Sequence, residues 1–208
     1  MAESDISLAA ATPLAPALAA SPTGWVDAVL TDFEEFLKDH ASCEKKASGM
    51  ALSVASHYPD QPELLNAMVD LAVEELSHYR EVIRIMLARN IVPGADRKDP
   101  YINALNSHVR RGPENFMLDR LLMGAIVERR GAERFGLIAD RLADTHEENP
   151  DLAEFYQAIA ASEYRHWELF YNLAVSHCDA AQVAPRFAEL TAIEADVMRE
   201  QPFRAALH

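Results

Sequence analysis

Residues 62–86 read PELLNAMVDLAVEELSHYREVIRIM, and residues 150–173 read PDLAEFYQAIAASEYRHWELFYNL. Each stretch opens on a proline, which is tolerated at a helix start because its missing N–H has no intrahelical partner there. Apolar residues then recur at threes and fours, as Leu64, Met68, Leu71, Val82 and Met86 in the first and Leu152, Phe155, Ile159, Phe170 and Leu173 in the second. That is the period of an amphipathic helix. Both stripes are interrupted by the same polar pair, Glu75 with His78 and Glu163 with His166, and both pairs lie on the stripe. Each Glu stands 13 residues beyond the proline that opens its helix, so the pairs sit at matching depth.

Working outward, the 11 prolines leave four long uninterrupted runs, 23–58, 63–92, 114–149 and 151–184. Such runs argue against an all-β or alternating α/β chain. The first predicts a helix from Trp25 to Tyr58 and the second a helix up to Val92. The third predicts one from Pro113 through Leu142, and the fourth follows a turn at Asn149-Pro150. A shorter fifth helix is predicted from Pro185 to Met198. Residues 91–112 form the single long connection, with a short helical pattern at Ile102, Leu105 and Val109. Two short turns and one long crossover predict an all-α, ferritin-like four-helix bundle with an extra C-terminal helix. Residues 1–22, rich in Ala and Pro, read as an N-terminal tail or strap outside the core, leaving 23–208 as the helical domain.

With 208 residues, 50% of them hydrophobic, the chain is long enough to bury a substantial core. Its net charge of −14 argues against a generally nucleic-acid-binding surface. Residues 80–141, however, hold 12 of the 19 Lys and Arg and only 8 of the 33 Asp and Glu, a basic segment on an acidic body. Two cysteines, no apolar run of 18 residues and no basic leader point to a cytoplasmic protein with no membrane partner.

An i, i+3 spacing sets a carboxylate beside an imidazole on one helix face, able to share one metal ion. Two divalent ions in such a bundle need one further Glu from each of the other helices, since four carboxylates balance their charge. The first helix offers Glu44, which continues the stripe 33, 37, 40, 44, 47, 51. The third offers Glu128, in the apolar row 121, 125, 128, 132, 135, with Glu133 as the alternative. Left unpaired, six buried polar side chains would each cost several kcal/mol, which weighs against a metal-free scaffold.

The stretches DHASCEKKA (39–47), EELSHY (74–79), VERRGAERF (127–135) and ASEYRHWELFY (161–171) resemble the MiaE family of bacterial tRNA isopentenyl-adenosine hydroxylases, from about Pro22 to Arg199. The resemblance implies a non-haem diiron monooxygenase with two iron ions per chain, using O₂ and an external electron donor. Its substrate would be the isopentenyl side chain of 2-methylthio-isopentenyl-adenosine next to the tRNA anticodon. It carries ligand and catalytic roles onto Glu44, Glu75, His78, Glu128, Glu163 and His166. Arg129, Gly131 and Ala132 depart from the family pattern, leaving the ligand positions intact but altering the pocket wall. Partners would be tRNA and a redox protein, on a monomer or small oligomer. Lys45, Lys46, Arg110, Arg111, Arg129 and Arg130, with Arg84 and Arg134, are the candidate tRNA contacts. Gly49, Gly124, Gly131 and Gly136 would leave room for the prenyl group or allow close helix packing. The competing readings are a ferritin-like oxidase or peroxidase for another substrate, and an iron-handling protein.

Overall fold

The computed structural model describes residues 15–96, 98–144 and 150–208. Residues 1–14 of the expected tail and Asn149 of the expected turn lie outside the described residues. Among those described, the regular elements are all helices: α1 Trp25–Thr31, α2 Phe33–His57, α3 Pro62–Ala88, α4 Pro100–Asn106, α5 Pro113–Asp144, α6 Pro150–His177 and α7 Ala180–Glu200. Prolines open α3, α4, α5 and α6, as their spacing predicts. α2 packs along α3 and α5 along α6, and the link 89–112 joins the two pairs. α3 stops on a left-handed residue, Asn90 (φ 59°). Ile91 N donates to Met86 O (2.9 Å) and Asn90 N to Leu87 O (3.1 Å), the paired bonds that close a helix C-terminus.

Three boundaries differ from the sequence reading, and the first is the end of α3, which stops at Ala88 where the helix was expected to run up to Val92. The expected helix from Trp25 to Tyr58 is broken at Asp32, whose backbone leaves the helical path (φ −134°, ψ 65°) while its side chain accepts from Glu35 N, capping α2. The last helix begins at Ala180, five residues before Pro185, because Asp179 caps it by accepting from Ala181 N and Val183 buries its side chain. The hydrophobic effect of that first turn outweighs the hydrogen bond that Pro185 removes.

The segment 15–22 was expected to stay out of the core, and Ser21 corrects this. Its side chain is buried, and both its N–H and its hydroxyl donate to Glu133 (2.8 and 2.7 Å). Arg134 and Arg130 donate to the Ser21 oxygen (3.1 and 3.3 Å), and Arg129 donates to Pro16 O (2.7 Å). The segment thus lies along α5.

α7 is fixed on the bundle by buried ion pairs. Arg130, with 0% of its surface exposed, donates from Nε and Nη2 to the two oxygens of Glu194 (2.7 and 2.9 Å), which also accepts from Tyr101 Oη (2.9 Å). Asp119, equally buried, accepts from Arg186 and Arg110 (both 2.7 Å). Removing one member of such a pair strands the other charge in the interior. Glu194→Ala is therefore expected to cost about 3–5 kcal/mol in urea unfolding. The double change Arg130→Met with Glu194→Leu should recover most of that loss, and equal loss in both variants would contradict the ion-pair account.

Candidate metal centre

The bundle core divides into two apolar parts with a polar layer between them. One part gathers Ala51 and Val54 from α2, Met68 and Leu71 from α3, Leu121 and Ala125 from α5, and Trp167 and Phe170 from α6. The other gathers Phe36 and Leu37 from α2, Val82 and Met86 from α3, Phe135 and Ile138 from α5, and Tyr156 and Ile159 from α6. Glu44, Glu75, His78, Glu128, Glu163 and His166 fall between these sets on every helix. Each of the four carboxylates is at most 5% exposed.

The layer converges on two groups. Ligand atoms of Glu44, Glu75, His78 and Glu163 lie within 4.8 Å of one another, as do those of Glu75, Glu128, Glu163 and His166. Glu75 and Glu163 belong to both. His78 Nδ1 is 3.4 Å from Glu75 Oε2 and 3.7 Å from Glu44 Oε2, and His166 Nδ1 is 2.8 Å from Glu75 Oε1. Yet both Glu75 oxygens, His78 Nδ1 and both His166 nitrogens are buried without an aligned hydrogen bond. Buried polar atoms left in this state are costly, and a cation at their centre would supply the missing partner. The donor set of hard oxygens and imidazole nitrogens suits iron, manganese or zinc. Glu128 joins the layer, whereas Glu133 points away to Ser21 and Arg130.

The sequence reading did not find the groups that orient this layer. His40 Nε2 lies 2.6 Å from Glu44 Oε1, with its Nδ1 3.3 Å from Tyr156 Oη. With Tyr156 donating to Nδ1, Nε2–H donates to Glu44. Glu74 Oε2 is 3.3 Å from His166 Nε2, while Glu74 Oε1 accepts from Ser162 Oγ (2.5 Å) and Arg165 Nη2 (2.9 Å). Carboxylate–imidazole contacts of this kind fix ring orientation at metal sites. The signal for His40 was its place on the α2 stripe, one turn before Glu44.

Burial dominates the electrostatics, and the neighbours decide the sign. Burial alone would raise the Glu44 carboxyl, but the hydrogen bond from His40 and the nearby His78 imidazole hold it well below the usual range. Glu75 is pushed up by burial; Glu128 is raised well up by burial and by the charges of Glu163 and Glu75, and Glu163 by burial and by the charges of Glu75 and Glu44. Burial opposes the imidazolium of His78 and His166, yet Glu44 and Glu75 raise His78 to about 9, and Glu75 raises His166 to about 9.

A cavity of about 460 Å³ meets the layer from its carboxylate side. Glu44, Glu75, Glu128 and Glu163 line it, while His78 and His166 do not. Its apolar wall includes Met50, Ile102, Leu105, Met123, Val127 and Phe135, and the exposed Lys46, Lys98, Asn103 and Asn106 line it at the surface. Gly124 and Gly131 also line it. A Cβ on Gly124 would meet the Phe170 ring at 2.9 Å, so this glycine serves close packing of α5 on α6. Gly49 and Gly136 lie elsewhere.

Four of the eight candidate tRNA contacts are placed differently from expectation. Arg130 and Arg134 are buried, Arg110 is committed to Asp119, and Arg129 lies over the Trp167 ring (5.4 Å) while bonding Pro16. Arg84 is exposed beside Glu81 (2.7 Å). Lys45 is exposed and paired with Asp96 (2.7 Å), and Arg111 is exposed. Lys46 stands at the cavity, joined by Lys98 and Arg120, which the sequence reading did not single out.

Each imidazole is raised above its ordinary value of 6.5. In the metal-free chain its contribution to stability is therefore complete below about pH 6.5 and lost as pH rises through about 9. Metal uptake must displace these protons. Calorimetric titration of the metal-free chain with Fe²⁺ at pH 7, in buffers of different ionisation enthalpy, is expected to show release of at least about two protons per chain. A heat independent of the buffer would contradict this.

The family model for the tRNA-(MS2IO6A)-hydroxylase (MiaE) matches residues 14–208. The tRNA 2-(methylsulfanyl)-N(6)-isopentenyladenosine(37) hydroxylase of Pseudomonas putida is 31% identical over 188 residues, covering 90% of this chain and 89% of that protein. The hydroxylase of the same description from Salmonella typhimurium is 32% identical over 136 residues, 65% of this chain and 48% of that one. Among solved structures, protein 43 with aldehyde deformylating oxygenase activity from Synechococcus is similar at a TM-score of 0.82 and 30% identity, over 90% of each chain. No helix among the described residues is long and apolar enough to cross a membrane. On a match that spans nearly the whole chain and includes all four helices of the polar layer, this chain belongs to the MiaE family.

Proposed function

We infer that this chain is a tRNA-modifying hydroxylase acting on the isopentenyl side chain of 2-methylthio-isopentenyl-adenosine next to the anticodon. The observation that carries the reading is the junction of an apolar cavity with a layer of four carboxylates and two imidazoles in a chain of this family. Glu44, Glu75, His78, Glu128, Glu163 and His166 would hold two iron ions, which would supply the activation of O₂ and the oxidation of a C–H bond. Overall, one oxygen atom enters the C–H bond and the other leaves as water, with two electrons and two protons from an external donor.

The chain's own part is positioning and exclusion. Met50, Ile102, Leu105, Met123 and Val127 form the wall that takes up the branched hydrocarbon, each buried methylene contributing about 0.8 kcal/mol. The same wall keeps water from the carboxylates, which strengthens the charge interactions inside. His40 and Glu74 hold Glu44 and His166 in place, so the donor atoms keep their positions when protons leave. Lys46, Lys98 and Arg120, with Lys45 and Arg111 farther out, provide positive charge for phosphates of a docked anticodon loop.

The likeness to the Synechococcus structure supports a second reading, oxygenation of a small aliphatic substrate in the same cavity. One experiment separates the two. Iron-loaded protein, a chemical reductant, O₂ and tRNA carrying the prenylated nucleoside are combined, and the digested nucleosides are weighed by mass spectrometry. The reading predicts gain of one oxygen atom on the prenylated adenosine, and no detectable product with Glu163→Gln. Iron turnover with unchanged tRNA would overturn it.

A further inference from the structure

The C-terminal residues fold back to form part of the cavity wall. Trp25 Nε1 donates to Ala206 O (3.2 Å), Arg134 Nη1 to Leu207 O, Leu207 N to Asp39 Oδ2 (2.8 Å) and Arg204 Nη2 to His208 O (3.0 Å). These bonds set the His208 ring flat on Tyr101, with centroids 4.7 Å apart and planes 7° from parallel. His208 is 7% exposed, its Nδ1 lies 3.0 Å from Asp99 Oδ2, and its Nε2 is buried without a hydrogen-bond partner. Asp99 caps α4 through Ile102 N, and Cys43 stands on α2. One donor atom from each of Cys43, Asp99 and His208 lies within 4.8 Å of the others, and all three residues line the cavity.

Three segments far apart in sequence therefore bring a thiol, a carboxylate and an imidazole together, and the proposed hydroxylation uses none of them. Sulfur in the donor set favours a thiophilic ion over the hard cations that carboxylates alone would select, and three protein ligands leave a fourth position open. We propose that Cys43, Asp99 and His208 form a mononuclear site for a thiophilic divalent cation of the Zn²⁺ class, separate from the carboxylate layer. Binding releases the thiol proton to solvent and ties the C-terminal segment and α4 to α2 across the cavity wall.

Co²⁺ tests this, because a thiolate-to-cobalt charge-transfer band in the near ultraviolet needs a sulfur ligand and the carboxylate layer contains none. Titration of the metal-free full chain with Co²⁺ is expected to raise that band to saturation at one thiolate-bound cobalt per chain. It should be lost in Cys43→Ser and in His208→Ala and kept in Cys178→Ser. It should also be kept in Glu163→Gln, which separates it from the hydroxylase reading. Circular dichroism of each variant establishes that the helices remain. No band in the unaltered chain, or a band that survives Cys43→Ser, would overturn the proposal.

Discussion

Mutual repulsion among four carboxylates in a low-dielectric interior is the constraint on which this structure turns. Glu44, Glu75, Glu128 and Glu163 are each nearly inaccessible to water, and without compensation their charges would drive the bundle apart. In the metal-free state protons provide the compensation, on two imidazoles and on carboxyls raised by burial. Two divalent cations would do so more completely. The apolar parts above and below the layer then act as walls that fix the distance between helix pairs and keep the charge from being solvated. The site and the fold are in this sense one problem, since the inward Glu of each helix is tolerable only where the other three helices bring theirs.

A second set of buried charges does a different job. Arg130 with Glu194, and Asp119 with Arg110 and Arg186, join α5 to α7 and to the crossover, and Ser21 ties the N-terminal strap to the same face. These pairs are satisfied within the protein, with short contacts on both partners. The metal layer differs in that its atoms converge without satisfying one another. That contrast distinguishes structural ion pairs from a set of donor atoms that a cation would complete, at similar burial.

Much of this was legible in the sequence because helical period and proline position are local properties. The starts at Pro62 and Pro150, the depth of Glu75 and Glu163, and the preference for Glu128 over Glu133 all follow from which residues share a stripe. What was not legible depends on partners distant in sequence. Arg130 reads as a surface cation until Glu194, 64 residues on, is seen to neutralise it. Ser21 sits in a low-complexity stretch that gives no hint of its buried bonds to Glu133. Asp32 ends α1 and caps α2 inside an apolar period that runs on from Val26 to Val54, and that continuity hides the break. The closure of the cavity by Leu207 and His208 has no periodic signature at all.

The reading proposed above is that the polar layer would hold two metal ions through Glu44, Glu75, His78, Glu128, Glu163 and His166. Anomalous scattering at the iron edge, from crystals of iron-loaded protein, tests it most directly. Two peaks within the layer are predicted, one touching Glu44 and His78, the other Glu128 and His166, with Glu75 and Glu163 between them. A layer without anomalous signal, or a single peak bound by residues outside these six, would contradict the account.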